Sequence, residues 1–197
     1  LTKEGLCPLR IHWEKEKIYR IEDLHDYSGS SLKLLLPRLV EPHSHIDKAF
    51  TWDDFPNLSG TYEEALKANL EEHQIRTSQN VRVRAEKALR LALKNGLRSV
   101  RTHVDSFGLT GLQSWQVLSD IKREWKSLIE LQCVALVPLD YWNSDKGNYL
   151  AERVACSGGL LGGVLVPSLD NRKSYRGLLG LLKLANHHDC GVDLHID

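Results

Sequence analysis

Leu39-Val40-Glu41-Pro42-His43-Ser44-His45-Ile46-Asp47 is a short apolar run that closes on two histidines at alternate positions and then an aspartate. The ending returns in Val100-Arg101-Thr102-His103-Val104-Asp105 and in Val192-Asp193-Leu194-His195-Ile196-Asp197. The runs that read as strands are Arg38 to His43, Leu97 to His103, Leu131 to Val137, Gly163 to Pro167 and Gly191 to His195. From the second onward they start about every thirty residues, the size of one βαβ unit. Helical spacing fills the gaps: Val81 to Lys94 places Val81, Ala85, Ala88, Leu89, Ala92 and Leu93 on one face and stops at Asn95-Gly96. Ser114 to Leu128, Asn148 to Cys156 and Tyr175 to His188 follow suit. Apolar strands joined by helices form a parallel sheet covered by helices. A doubly wound sheet and a (β/α)8 barrel both satisfy this pattern.

The texture differs before Leu36. Leu9, Ile11 and Trp13, then Ile18, Tyr19 and Ile21, lie in short runs broken by charges and by Ser28-Gly29-Ser30-Ser31, which is hairpin texture. A first segment, 1–37, is therefore set apart from a βα segment, 38–197. The 197 residues carry 26 basic and 26 acidic side chains and are 42% hydrophobic, the composition of a folded domain. Zero net charge argues against a nucleic-acid or polybasic membrane-surface partner. No apolar run approaches the roughly 20 residues of a membrane helix, and Leu1 to Gly5 lack a signal-peptide pattern, so the expected location is the cytoplasm. Cys7, Cys133, Cys156 and Cys190 are too scattered for a disulfide framework and read as reduced thiols. The chain begins at Leu1, has no Met and stops at Asp197 after an apolar run, which reads as a segment of a longer protein.

The chemistry lies in the three endings. Ligand sites of parallel α/β folds sit at the C-terminal ends of strands. Residues i and i+2 of a strand share a face, so His43 and His45 can aim both imidazoles at one point, as a metal about 2.0 to 2.1 Å from each nitrogen requires. His195 completes the set if the sheet curls, and only a barrel brings its strand near the first. His103 is read either as a hydrogen-bonded structural residue or as one that orients the ligands. Asp47 and Asp105 are acceptors behind the imidazoles or caps of the following helices. Gly158 to Gly163 reads as a helix-to-strand turn, because it precedes a strand and holds no phosphate-loop motif. His187 and His188 diverge on their helix, and Glu63 to Arg76 reads as a solvated helical face.

Taken together, residues 39–48, 100–105 and 192–197 resemble the cytosine deaminase branch of the amidohydrolase superfamily, with the likeness running from Leu36 to Asp197. The resemblance implies a (β/α)8 barrel, incomplete here with about five of eight βα units, beside part of a small β-sandwich from residues 1–37. It implies one divalent metal, Zn2+ or Fe2+, held by His43, His45 and His195, whose bound hydroxide attacks a ring carbon while a Glu shuttles protons to the leaving amine. That Glu directly follows the strand-five His-x-Asp, so it lies just beyond Asp197 and no catalytic acid or base falls within the chain. Asp197 itself joins the pocket or ligand-supporting residues. The family's cytosine-specific members carry Gln after the strand-three Pro, whereas Leu139 follows Pro138 here, and an apolar side chain cannot read a pyrimidine amide edge. Asp140, Tyr141 and Trp142 either line a pocket that stacks on a flat ring or pack on the rim. The expected function is hydrolytic deamination of a small nitrogen heterocycle or cyclic amidine. The alternatives are cleavage of an N-alkyl amine from a triazine-like ring and a truncated, non-catalytic paralogue that binds a partner. Homo-oligomerisation of the full-length protein is left open.

Overall fold

A computed structural model describes residues 7–24, 33–165 and 172–196. The chain separates into two compact units, Leu1–Arg38 and Leu39–Asp197. In the first, β1 (Leu9–Glu14) and β2 (Lys17–Asp23) pair as an antiparallel hairpin. Its two-residue turn, Lys15-Glu16, has positive φ at both positions, the twist that matches paired strands. The Ser28–Ser31 run lies outside the described residues.

The second unit begins with β3 (Leu39–Ser44), α1 (Tyr62–Ile75), α2 (Ser78–Lys94) and β4 (Leu97–Asp105). It continues through α3 (Gly108–Trp125), β5 (Glu130–Pro138), a 3-10 turn (Leu139–Asn143) and α4 (Asp145–Cys156), and then β6 (Leu160–Leu165), α5 (Arg172–His187) and β7 (Val192–Ile196). All five strands are parallel, in the order β3-β4-β5-β6-β7. A doubly wound sheet reverses its order at a switch point; this one adds each strand beside the last, which is barrel winding. Four strand spacings would separate β3 from β7 by about 19 Å in a flat sheet. Instead the His43 and His195 rings stand 4.7 Å apart, and Arg101 on β4 reaches Asp193 on β7 at 2.6 Å. The sheet is therefore a curled half-barrel, five strands of an incomplete (β/α)8 fold.

Its outer face presents Val100, Val104, Leu131, Cys133, Ala135, Val137 and Leu161, all buried under the helices. Val81, Ala85 and Leu89 of α2, Trp115, Leu118 and Ile121 of α3, Leu150 and Val154 of α4 and Leu181 of α5 complete this core. Thr77 caps α2 by accepting from the Asn80 N–H, and Gly96 at φ +80° turns the chain out of it into β4.

Two sequence expectations are corrected. The glycine run is a turn only at its start: Gly158, at φ +61°, and Gly159 lead out of α4, but β6 already starts at Leu160, three residues before the expected Gly163, while Pro167 lies outside the described residues. A Cβ on Gly162 would come 2.7 Å from Val134 Cγ1 and 3.0 Å from the backbone oxygens of Ala135 and Asp193, so glycine is what lets β6 nestle between its neighbours. The Glu63–Arg76 stretch is not all solvated either. Glu72, His73 and Arg76 are buried, because the end of α1 turns its charges inward to pair with one another and with the strand ends.

Candidate metal centre

The inner face of the half-barrel is polar along β4 and β7. Arg101, His103 and Asp105 alternate along β4, and Asp193 and His195 along β7, so the period of a strand puts each set on one side. β3 ends at Ser44, pinned to β4 by its hydroxyl, which donates to the Arg101 carbonyl at 2.7 Å. Just beyond, the Ile46 N–H donates to the Thr102 hydroxyl at 3.1 Å. These two bonds set His43 and His45 at the rim.

One ring nitrogen from each of His43, His45 and His195 lies within 4.8 Å of the other two, so the structure does bring the three predicted ligands together. His45 Nδ1 is 3.1 Å from the His103 carbonyl, which can only accept, so Nδ1 carries the proton and Nε2 the lone pair. That lone pair faces His195 Nε2 at 3.3 Å. Two imidazole nitrogens bound to one tetrahedral ion at about 2.0–2.1 Å stand about 3.3 Å apart, so the spacing suits a shared cation. Burial, and then the Lys48 ammonium, push the His45 pKa down to about 3, which keeps the ring in its neutral, metal-binding form.

Beneath the rim lies an ion network. Lys48 Nζ donates to both Asp105 oxygens at 3.0 Å, and Asp47 accepts from Arg76 at 3.0 Å and from the Asp105 N–H at 3.1 Å. Arg76 also pairs with Asp105 and Glu72, and Arg84 closes on Glu72. Asp47 and Asp105 therefore neither accept from an imidazole nor cap a helix; α1 is capped by Thr61, and α3 has no side-chain cap. The reason is energetic. A guanidinium with no exposed side-chain surface needs carboxylates around it, and these two, together with Glu72, supply them. Burial, then the neighbouring Asp105 carboxylate, raise Asp47 to about 6. Burial also works to raise Asp105, but Lys48 and Arg76 outweigh it and hold that carboxyl below the ordinary range.

A cavity of about 1100 Å³ opens beside the histidines. His45, His195, Lys48 and Asp105 form its polar side, and Trp52, Phe55, Leu136 and Leu139 much of its apolar side. Leu139 is buried and Asp140 stands at the mouth, 2.9 Å from Lys173. Of the two alternatives for Trp142, the structure takes packing over pocket lining. The side chain is buried in the core with its Nε1 donating to the Gly162 carbonyl at 2.9 Å, so it braces β6 and does not face the cavity. Tyr141 packs against the same core. Asp197 lies outside the described residues. Sequence reasoning passed over Lys48, Arg76, Arg101 and Asp193; for the last two the signal is there, a charge two residues before a strand-end histidine.

No protein-family profile matches the chain. Over 170 residues it is 34% identical to a pterin deaminase of Rhizobium rhizogenes, covering 83% of this chain and 37% of that one. Over 183 residues it is 26% identical to an N-isopropylammelide isopropyl amidohydrolase of Pseudomonas, covering 89% and 44%. Its fold superposes on the 5-methylcytosine deaminase of Klebsiella pneumoniae liganded with 5-fluorocytosine, with a TM-score of 0.76, 27% identity, and coverage of 98% of this chain and 48% of that one. The chain belongs to the amidohydrolase superfamily, among its cytosine deaminase-like members. A further superfamily structure, the N-isopropylammelide isopropylaminohydrolase of Burkholderia multivorans, matches at a TM-score of 0.72 and 25% identity, over 95% and 49% of the two chains. The chain spans about half the length, or less, of these relatives. Deaminases of the superfamily are metal-dependent, and the converging imidazoles, with the His45 Nδ1–H donating to a carbonyl and its Nε2 lone pair free to bind, fit such an ion. No helix among the described residues is long and apolar enough to cross a membrane.

Proposed function

We propose that the chain forms the metal-binding half of a hydrolase that releases an amine or ammonia from a small nitrogen heterocycle. The observation that carries the reading is the meeting of His43, His45 and His195 at one point on a curled sheet, beside a cavity with an apolar side. These three residues would hold Zn2+ or Fe2+, which when bound makes a water acidic enough to serve as hydroxide near neutral pH. The chain's own contribution is orientation. The His103 carbonyl fixes the His45 tautomer, the Lys48–Asp105 pair supplies fixed charge on the cavity floor, and Trp52, Phe55 and Leu139 exclude water from a flat ring. Leu139 offers no hydrogen bond, so the ring edge beside it is one that needs none, which disfavours cytosine. The proton-shuttling group is expected outside the described residues.

The relatives act on pterin, 5-methylcytosine-type and triazine rings by their names, and this supports the heterocycle class. A second reading, release of an N-alkyl amine, draws on the two N-isopropylammelide hydrolases. Cys133, Cys156 and Cys190 as thiols suit a reducing compartment, and we place the enzyme in the cytoplasm. The deciding experiment incubates the whole metal-loaded hydrolase that contains this chain with cytosine, isocytosine, creatinine, pterin and N-alkyl aminotriazines and measures ammonia and alkylamine. Ammonia from at least one ring supports the first reading, alkylamine supports the second, and neither product from any ring sinks both.

A further inference from the structure

His103 touches all three ligand histidines without belonging to their set. Its ring stacks on His43 at 4.3 Å and 30°, and meets His195 edge-on at 4.6 Å and 87°. Its carbonyl accepts from His45 Nδ1. The side chain has no exposed surface and neither ring nitrogen makes a hydrogen bond of good geometry, an unusual state for a buried imidazole. Its Nε2 stands 3.3 Å from Asp193 Oδ1. The other Asp193 oxygen accepts from Arg101 Nη1 at 2.6 Å, and Arg101 Nε donates to Gln132 Oε1 at 2.6 Å. A chain of contacts thus runs from β5 through β4 to β7 and back to His103.

We infer that His103 is the positioning residue of the metal centre, held by Asp193 and Arg101 and fixing the planes of the His43 and His195 rings. The inference rests on the metal reading above. Three features set His103 apart from a fourth ligand and from mere filling. It lies outside the converging ligand set, its Nε2 faces a carboxylate, and that carboxylate is anchored by an arginine three strands away, an expensive arrangement for a site that needed only volume. Arg101 and Asp193 also lie on the strands that carry His103 and His195, each two residues before its histidine, so the charges and the imidazoles are locked in one register.

The test is Co2+ titration of the chain, read by affinity and by the visible ligand-field spectrum, with the fold of each variant followed by circular dichroism. The wild type should bind one ion, and His43→Ala should abolish binding. Wild-type protein that takes up no Co2+ removes the metal reading and this inference with it. If the wild type binds, His103→Phe, which keeps a flat ring for stacking, should retain one ion with affinity lower by about 10- to 100-fold and a shifted spectrum. Asp193→Asn, which leaves His103 in place, should shift the spectrum in the same direction, and the double variant should lose no more than His103→Phe alone. Complete loss of the ion in folded His103→Phe would make His103 a ligand and overturn the positioning role. A wild-type spectrum and affinity in either His103→Phe or Asp193→Asn would overturn it as well, and the second variant decides the matter if the first does not fold.

Discussion

Arg76 shows how one buried charge dictates the roles of its neighbours. Its side chain is fully enclosed and meets Asp47, Glu72 and Asp105. Arg76→Met should cost about 3–5 kcal/mol, because it leaves the fully buried Asp47 carboxylate without its ion-pair partner while Glu72 keeps Arg84 and Asp105 keeps Lys48, and urea denaturation will measure this. Trp142 makes a similar point. Because it fills the core and bonds the Gly162 carbonyl, Trp142→Ala should lower stability by about 3–5 kcal/mol, whereas a residue that stacked on substrate would alter affinity for the ring and leave stability largely intact. Burial raises the Cys133 thiol to about 12, so at pH 8 a thiol reagent should modify exposed Cys156 and leave Cys133 untouched until the chain unfolds. Mass spectrometry of the modified native protein checks the prediction.

At the scale of the element, the outer and inner faces of the strands obey different rules. Outer positions are apolar and were readable as strand texture, since each must pack against a helix. Inner positions carry Arg101, His103, Asp193 and His195, and here the alternation of charge with apolar residues marks a polar lumen. β6 is the exception to strand texture, because glycines replace the β-branched residues one expects. Gly162→Ala should destabilise by about 1–3 kcal/mol, since its methyl would meet two strand backbones that cannot both withdraw, and a thermal melt will report it. The end of α1 escaped a sequence reading for a related reason. Glu72 and Arg76 have ordinary surface composition, and only their packing against Asp47 and Asp105 makes them interior.

Across the whole molecule, the histidine cluster and the half-barrel depend on each other. Removing bound metal should lower the melting temperature, since an ion that binds only the folded site stabilises it by mass action. A chelator should therefore shift the wild-type melt and leave that of the His43→Ala, His45→Ala variant unchanged. Among the described residues, β3 and β7 each pair on one side only, and Leu39, Val40 and Ile196 are exposed there. Order along the chain was legible at the start: apolar runs at a βα spacing, helices with their caps, and three strand ends carrying histidine, because local periodicity and backbone chemistry act over a few residues. Convergence was not. Whether His195 meets His43, which carboxylates serve Arg76, and whether Trp142 faces a pocket or the core are settled by how far the sheet curls and how closely β6 approaches its neighbours. Those distances join residues as much as 150 positions apart, and only the packing of the folded chain decides them.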